Sequence, residues 1–374
     1  MTPTPFTIDI PDSEVADLRS RLRASRFPDV PANTDFARGT SGEYLRELVR
    51  YWAEEYDWPA RQAELNQIPQ FTAEIDGRPI HFLSARSERQ DATPLLLLHG
   101  WPDSPFRFRT VIPLLTDPSA GQPAFHVIAP SLPGFHFSGH EAQSSDATAD
   151  LLATLMTDEL GHERFLVAGG DVGTGVGMAL GRRHPGLVVG LHLTNVDYPT
   201  GQESDLTEAE QEYAAYIQQW WFTQGAYAAV QSTKPQIVGP ALTDSPAGLA
   251  AFMLGLIDTG ADNHDVEASF GGRDELLTNF SLYHFTATAG SAADSYFVES
   301  NAGEWGATPA KVEVPTGVAI FPREAPSPRE WCERQANVVR YTRMDRGGHF
   351  AALEVPADYA GEVRAFARDL AADS

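Results

Sequence analysis

The chain has 374 residues, of which 42% are hydrophobic, 10% aromatic and 21% charged. This composition is typical of a globular protein with a sizeable core, and it excludes a disordered, fibrous or coiled-coil chain. The 51 acidic and 27 basic residues give a net charge of −24. So negative a chain repels phosphate backbones and anionic lipid, so we expect neither nucleic acid nor a membrane as a partner.

The first 70 residues predict helices separated by loops. Alternating side chains over residues 6–10 indicate an edge strand. Asp12 is typical of a helix N-terminus, and Leu18 and Leu22 recur after it at helical spacing. Nothing in the pattern of this segment indicates chemistry.

Three features of the sequence bear on where the protein works. The N-terminal residues have neither the basic region nor the apolar run of a signal peptide. The longest aliphatic run, residues 95–98, is far shorter than the ~20 residues of a membrane-spanning helix. Cys332 is the one cysteine, so no intrachain disulfide can form. We therefore expect a cytoplasmic protein.

From residue 71 the pattern changes to short β-prone runs that alternate with helical segments. This alternation predicts a mostly parallel sheet with helices on both faces. Residues 198–300 interrupt it with aromatic-rich helical segments, which we interpret as a cap over the sheet. The predicted strands are residues 71–75, 80–83, 95–98, 125–129, 165–168, 188–193, 316–321 and 338–341.

The motif Gly169-Gly170-Asp171-Val172-Gly173 lies between a predicted strand and a predicted helix. It fits the pattern G-x-nucleophile-x-G, with Asp171 where many hydrolases carry serine. Glycine neighbours let the chain bend sharply, so that the reactive side chain projects from the turn. The motif alone is weak evidence, because glycine and aspartate are common in ordinary turns.

A second motif, His99-Gly100-Trp101-Pro102, follows the predicted strand at residues 95–98. In folds with such an elbow, a turn at this place supplies one donor of the oxyanion hole. We expect the backbone N–H groups of Trp101 and Val172 to converge on one oxygen. We assign no catalytic role to His99.

The general base and its acid are sought near the C-terminus. His349 follows the β-like residues 338–341, and strand ends are where catalytic groups gather in open α/β sheets. The order nucleophile, acid, base favours His349 as base and Glu324, just beyond residues 316–321, as acid. Asp197 is the competing acid, and Asp345 is closer in sequence but more typical of a turn.

An aspartate nucleophile restricts the reaction. Attack on an acyl carbon would give an anhydride, whereas attack on a saturated carbon gives an alkyl ester that a His-activated water can hydrolyse. An epoxide and a halide are the two leaving groups to consider, and a tyrosine pair would favour the epoxide. The alternatives are a haloalkane or haloacid dehalogenase and a ligand-binding protein without turnover. The sequence has no metal-ligand spacing, so we expect no metal and no cofactor.

Nearly the whole chain resembles an epoxide hydrolase of the microsomal-type branch, which includes the juvenile hormone epoxide hydrolases. The resemblance rests on these segments, quoted as they stand: Phe6-Thr-Ile-Asp-Ile-Pro11, Tyr51-Trp52, His99-Gly100-Trp101-Pro102, Pro130-Ser-Leu-Pro-Gly-Phe135, the Asp171 elbow, Phe321-Pro322-Arg323-Glu324 and Gly347-Gly348-His349-Phe350. It implies the α/β-hydrolase fold and hydrolysis of an epoxide to a vicinal diol. The implied division is an N-terminal meander (1–70), a first core part (71–197), a helical cap (198–303) and a second core part (304–374).

The same resemblance implies roles for particular residues. It makes Glu324 rather than Asp197 the acid, and it makes Tyr227 and Tyr296 the pair that activates the epoxide oxygen. A tyrosine is protonated at neutral pH, so a pair can donate two hydrogen bonds and deliver one proton. The aromatic cap predicts an apolar epoxide, with a pocket formed by Trp101, Pro102, Trp221 and Phe222. Whether the protein forms a homodimer stays open.

The sequence departs from the pattern of this branch at several positions. Asp103 stands where a small residue is usual, and His136 stands where glycine is usual. In the cap, the departures are His284, Asp294 and the pair Gly255-Leu256. We expect these differences to affect the pocket and the substrate more than the core chemistry.

Overall fold

The computed structural model describes residues 3–29, 35–303 and 309–372. Its strands form one sheet in the order β1-β2-β3-β5-β4-β6-β7-β8-β9. The strands are β1 (Thr4–Phe6), β2 (Gln70–Ile75), β3 (Arg78–Ala85), β4 (Thr93–Leu98), β5 (Phe125–Pro130), β6 (Phe165–Gly169), β7 (Val188–Leu193), β8 (Val312–Ile320) and β9 (Ala336–Arg343).

The sheet is antiparallel at one edge and parallel elsewhere. β1, β2, β3 and β5 pair antiparallel in that order, whereas all pairs from β5 through β9 are parallel. The inner strands are apolar on both sides, as residues 95–98 of β4 and residues 165–169 of β6 are all buried. A strand that is buried on both faces needs helices on both sides. The predicted mostly parallel sheet of the α/β-hydrolase fold is thus confirmed.

Helices flank the sheet, and six of them follow β7 before the chain returns to β8. We call these six helices, α7 to α12, the cap. The helices are α1 (Asp12–Arg23), α2 (Gly42–Glu54), α3 (Trp58–Leu65), α4 (Val111–Thr116), α5 (Ser145–Thr154), α6 (Val172–Arg183), α7 (Glu208–Thr223), α8 (Ala226–Thr233), α9 (Gly239–Asp244), α10 (Pro246–Gly260), α11 (Arg273–Thr286), α12 (Ala289–Ser300), α13 (Arg329–Gln335), α14 (Ala351–Glu354) and α15 (Pro356–Ala372).

The N-terminal helices lie against the cap. The indole N–H of Trp52 on α2 donates to Ser281 Oγ on α11 at 3.1 Å. The Trp58 ring at the start of α3 packs on Phe285, with ring centroids 4.7 Å apart. Both tryptophans are about 1% exposed, so this contact buries large apolar side chains and stabilises the cap from outside.

The predicted edge strand is displaced. The structure ends β1 at Phe6, whereas the sequence pattern predicts a strand over residues 6–10. The backbone beyond β1 bonds to side chains of the α3 region instead of to a strand: Ile8 N donates to Asn66 Oδ1 at 2.9 Å and Ile10 N donates to Gln62 Oε1 at 2.8 Å. Alternation shows which side chains are buried, but here helix side chains supply the backbone partners.

Within the described ranges, no helix combines the length and the apolar character that crossing a membrane requires.

Candidate active site

Asp171 lies in a sharp turn between β6 and α6. Its backbone has φ 57° and ψ −129°, a conformation that residues other than glycine rarely adopt. The surrounding glycines are required by space. A Cβ on Gly173 would lie 2.6 Å from the carbonyl oxygen of Leu98, and a Cβ on Gly100 would lie 2.2 Å from Asp171 Oδ1. The chain is therefore built to hold Asp171 in a strained turn.

The two carboxylate oxygens of Asp171 face different groups. Trp101 N donates to Oδ1 at 2.8 Å, and the carboxylate also accepts a hydrogen bond from Val172 N. Oδ2 lies 3.5 Å from His349 Nε2. Burial raises the pKa of Asp171, while His349 and the two N–H donors oppose that rise. Both predicted oxyanion donors thus contact the Asp171 carboxylate, Trp101 N at Oδ1, while Oδ2 faces His349.

His349 is held between two carboxylates. Its Nδ1 lies 2.8 Å from Glu324 Oε1, and Glu324 is 5% exposed. Burial lowers the pKa of His349, but the charge of Glu324, the hydrogen bond that the ring donates to Glu324 and the charge of Asp171 outweigh burial and raise the pKa to about 9. Glu324 therefore orients the imidazole and stabilises its charged form.

Tyr227 on α8 and Tyr296 on α12 form a pair in the cap. Their rings are 6.1 Å apart between centroids, at 73°, and their hydroxyls are hydrogen-bonded to each other. Burial raises the pKa of both phenols above their ordinary value, and the charge of Asp171 raises both further. Both are therefore protonated at neutral pH and able to donate to an oxygen.

A cavity of about 1990 Å³ joins these groups. Asp171, His349, Glu324 and both tyrosines line it. Of the predicted pocket residues, Trp101, Pro102 and Trp221 line it as well.

Phe222 is the exception among the predicted pocket residues. It is 93% exposed and does not line the cavity. The prediction that Phe222 lines the pocket is therefore wrong. Consecutive residues of a helix point about 100° apart, so neighbours cannot all face the cavity. The helix α7 turns its neighbour Trp221 toward the cavity and Phe222 toward solvent.

The other acids and histidines from the sequence lie elsewhere. Asp197 lines the cavity, but its described ion pairs and hydrogen bonds do not include His349, and its carbonyl accepts a bond from Trp331 Nε1. Asp345 is exposed. His99 is buried, and its Nε2 accepts a hydrogen bond from Leu132 N at 3.1 Å, which makes it a support for a neighbouring loop.

Asn195 supports the site, although the sequence patterns did not indicate it. Asn195 follows β7, and its Oδ1 accepts hydrogen bonds from Asp171 N at 3.0 Å and from Thr174 Oγ1 at 2.7 Å. It therefore ties the strained turn to the neighbouring strand end. Its place two residues after β7 was the available signal, because parallel strands end at the same edge of the sheet.

The positions that depart from the family pattern fall into two places. Asp103 and His136 are buried beside the Trp101 loop, each 1% exposed. His284 and Asp294 line a second pocket of about 670 Å³, and Asp171, His349 and Glu324 are not among its lining residues. Gly255 packs on the N-terminal segment, where its Cβ would lie 3.6 Å from Gly39 Cα.

The part of the chain that the structure describes contains no group of three or more His, Cys, Asp or Glu side chains arranged to hold a metal ion.

Comparison with known proteins gives two family matches. Residues 3–108 match the model described as the epoxide hydrolase N terminus, and residues 93–255 match the α/β-hydrolase fold. A Stigmatella aurantiaca protein provisionally named an epoxide hydrolase is 41% identical over 99% of this chain and 86% of its own. Epoxide hydrolase 1 of Sus scrofa is 34% identical over 97% of this chain and 88% of its own.

Solved structures show the same likeness. The juvenile hormone epoxide hydrolase of Bombyx mori matches with a TM-score of 0.86 and 30% identity, over 99% of this chain and 94% of that one. The epoxide hydrolase of Aspergillus niger also has a TM-score of 0.86, with 31% identity over 99% of this chain and 97% of that one. The match extends over the N-terminal segment, the sheet and the cap together.

Proposed function

The chain belongs to the epoxide hydrolase family, and from that membership we propose that it adds water to an apolar epoxide through a covalent ester on Asp171. The observation that carries the proposal is the arrangement around one carboxylate. Asp171 has one oxygen on the Trp101 N–H and the other 3.5 Å from His349 Nε2, and it shares a cavity with the hydrogen-bonded pair Tyr227 and Tyr296.

In the first step, Asp171 Oδ2 attacks one carbon of the epoxide and the C–O bond of the ring breaks. Tyr227 and Tyr296 donate hydrogen bonds to the ring oxygen, and one of them transfers its proton, so the product group is a hydroxyl. Trp101 N holds Oδ1 and Val172 N also donates to the carboxylate, and these two bonds orient Oδ2 toward the substrate. The result is a hydroxyalkyl ester of Asp171.

In the second step, His349 removes a proton from water and the hydroxide attacks the carbonyl carbon of the ester. Negative charge then develops on Oδ1, which already accepts the hydrogen bond from Trp101 N, and Val172 N is the second donor that we propose for it. Collapse of this intermediate breaks the ester bond, and the leaving alkoxide takes the proton of the added hydroxide, so the diol is released and Asp171 regains its carboxylate. The proton that His349 took from water then returns to the tyrosinate left by the first step, which restores both residues. Glu324 stabilises the imidazolium that forms.

The change of charge on Asp171 sets the protonation of His349. In the free protein both carboxylates support the imidazolium, and the pKa of His349 is raised to about 9. Formation of the ester removes the charge of Asp171, which lowers the pKa of His349 and favours the neutral base. The same carboxylate therefore acts first as nucleophile and then, once neutral, permits base catalysis.

The tyrosine pair distinguishes this function from the alternatives. A halide leaves without a proton, so a dehalogenase does not need two phenols beside its nucleophile. A binding protein without turnover does not need a base 3.5 Å from that nucleophile. The aromatic and aliphatic lining supports an apolar substrate. Epoxide and water are accordingly the substrates that we propose.

The test is to block the second step and weigh the protein. We expect His349→Gln, treated with styrene oxide, to accumulate one adduct on the peptide that contains Asp171, because the ester forms but no base activates water. The measurement is intact-protein and peptide mass spectrometry. Asp171→Ala is the control and should show no adduct. Mass on another residue, or turnover by Asp171→Ala, would overturn the mechanism.

Several expectations remain predictions. The four-part division at residues 70, 197 and 303 is one, and a cytoplasmic location is another. The location is supported by the single cysteine, Cys332, which is buried. We also keep as predictions that no metal or other cofactor takes part and that no nucleic acid binds.

A further inference from the structure

Asp103 and Arg107 are buried beneath the loop that carries Trp101, and the steps above do not use them. Asp103 is 1% exposed and Arg107 is 7% exposed. Arg107 lies on the short 3-10 helix Pro105–Phe108, and its guanidinium forms an ion pair with the Asp103 carboxylate. The desolvation of two buried charges offsets most of their attraction, so such a pair is a poor source of stability. Its contacts suggest a different role.

The Asp103 carboxylate contacts the backbone of the oxyanion loop. Gly100 N donates to Asp103 Oδ1 at 3.1 Å. Trp101 follows Gly100 directly, and Trp101 N donates to Asp171 Oδ1 at 2.8 Å. Because a hydrogen bond to a carboxylate is stronger than a neutral one, Asp103 fixes the peptide that directly precedes the Trp101 N–H and so helps to aim it.

Arg107 contacts the opposite side of the site. Its Nη2 donates to the carbonyl oxygen of His349 at 3.0 Å, and its guanidinium lies 5.9 Å from the ring centroid of Phe350. One planar guanidinium therefore binds a carboxylate and the backbone of the catalytic histidine at once. Lysine, a single point donor, cannot reproduce that fork.

Further hydrogen bonds hold this loop from the cap side. Tyr283 OH on α11 donates to the Asp103 carbonyl at 2.7 Å, and Asn279 Nδ2 on the same helix donates to the Pro102 carbonyl at 2.7 Å. His136 Nε2 lies 3.1 Å from the Asp103 carbonyl, and the His136 backbone has φ 47°. Two departures from the family pattern, Asp103 and His136, thus contact each other in one network.

We propose that the Asp103–Arg107 pair is a positioning device that keeps the oxyanion donor at Trp101 and the base at His349 in register. Both groups act on the same ester of Asp171, one on its carbonyl oxygen and one on the attacking water. Catalysis of this kind is sensitive to displacements of about 1 Å. The inference rests on the proposed function, because it assigns Asp103 and Arg107 to the second step of that reaction.

The test separates the two steps in single turnovers with styrene oxide. Arg107→Lys keeps a positive charge beside Asp103. It lacks the second nitrogen of the guanidinium, which in the wild type donates to the His349 carbonyl. We expect hydrolysis of the Asp171 adduct to slow on the order of tenfold to a hundredfold, with formation of the adduct changed less than about threefold. Rapid-quench mass spectrometry measures both rates, and in the steady state kcat and KM should fall together.

A second variant keeps the inference testable if Arg107→Lys does not fold. Tyr283→Phe removes only the donor to the Asp103 carbonyl, and we expect the same step to slow on the order of threefold to tenfold. Glu362→Gln is the matched control, since it breaks another pair, Glu362 with Arg340 at 2.8 Å, whose members do not line the cavity. It should lower the melting temperature and leave both rates unchanged.

The outcomes distinguish this inference from the proposed function. If folded Arg107→Lys and Tyr283→Phe hydrolyse the adduct at the wild-type rate, the positioning role is wrong while the mechanism stands. If the wild type turns over styrene oxide without any adduct on Asp171, the proposed mechanism fails and the inference fails with it. If both steps slow equally in every variant, the control included, the pair is structural and the inference is overturned.

Discussion

At the scale of single residues, the proposed reaction depends on the charges of Asp171 and His349, with Glu324 beside the imidazole. Asp171 must be ionised to attack, and burial raises its pKa, so the charge of His349 and two N–H donors are needed to offset the burial. His349 has the opposite requirement, because it must lose its proton before the second step. Glu324 orients the imidazole, but it also raises the pKa of His349 and so makes the loss of that proton harder.

Glu324→Gln tests this balance. The variant removes the first of the charges that raise the pKa of His349 to about 9. We expect the maximal rate of adduct hydrolysis to fall by about 10² to 10⁴. This rate rises with pH as His349 loses its proton. We expect that rising limb of the pH profile to move to lower pH in the variant, since the imidazole releases its proton more easily. The measurement is the decay of preformed adduct after a pH jump.

The control for this pH profile is Asp345→Asn, at an exposed carboxylate close to His349 in sequence that the sequence pattern assigns to a turn. It should leave the limb where it is in the wild type. A limb that stays in place in Glu324→Gln, or moves to higher pH, would contradict the assignment of Glu324.

At the scale of elements, the site is made by strand ends that meet at one edge of the sheet. β4, β6, β7 and β8 end at Leu98, Gly169, Leu193 and Ile320. Two to four residues after these strand ends come Trp101, Asp171, Asn195 and Glu324. Parallel strands place their carboxyl ends together, so residues far apart in the chain become neighbours. Asn195 shows the consequence, since it holds Asp171 N at 3.0 Å.

Asn195→Ala measures what that neighbouring strand end contributes. The variant leaves the buried Asp171 N–H without its acceptor, and we expect a loss of about 1–3 kcal/mol in the free energy of unfolding. We also expect adduct formation to slow, because the strained turn loses a restraint. Urea unfolding and single-turnover mass spectrometry are the two measurements.

Thr174→Val is the matched variant, because it removes the other bond to Asn195 Oδ1 and leaves the bond from Asp171 N intact. It should destabilise the protein without slowing adduct formation. Equal kinetic losses in the two variants would show that the Asp171 bond has no special role.

The strand ends also explain how much of the site can be predicted from the sequence. Asp171, Glu324 and His349 each follow a β-prone run, so their convergence follows from the parallel sheet. The cap offers no such rule, because α7 has aromatic side chains at three consecutive positions and only tertiary packing decides which face is buried. Phe222 was misplaced for this reason. Asp103 and Arg107 depend on contacts with His349 and Tyr283, about 180 to 240 residues away, which no local pattern reveals.

At the scale of the whole molecule, the cap is joined to the loop of the catalytic base. His349 N donates to the Gly260 carbonyl at 2.9 Å, and Gly347 N donates to Asp262 Oδ2 at 3.1 Å. Asp262 N donates in turn to Glu354 Oε2 at 3.3 Å. A Cβ on Gly348 would lie 2.3 Å from the Gly260 carbonyl oxygen, so the two parts meet without space for a side chain.

Glu354→Gln tests this joint through the pH dependence of stability. Burial raises the pKa of Glu354 from 4.5 to about 7, with Asp262 adding to the rise against several N–H donors. A carboxyl whose pKa is raised on folding stabilises the folded state when it is protonated. This stabilisation is complete below the pKa of the unfolded chain and is lost as pH rises to about 7. The wild type should therefore lose at most about 3 kcal/mol between pH 4.5 and 7 from this group, and the variant should not.

The measurement is urea unfolding of both proteins across this pH range. Glu313→Gln, at an exposed position of β8, is the control and should keep the wild-type slope. Parallel curves for wild type and Glu354→Gln would rule out Glu354 as the titrating group at the joint.

The hydrogen bond from His349 N to the Gly260 carbonyl also restrains how the cap can move. If the cap opened as a rigid body in each catalytic cycle, the backbone N–H of His349 would lose its partner at Gly260 each time. The position of the cap and the position of His349 are therefore coupled through α10, which ends at Gly260.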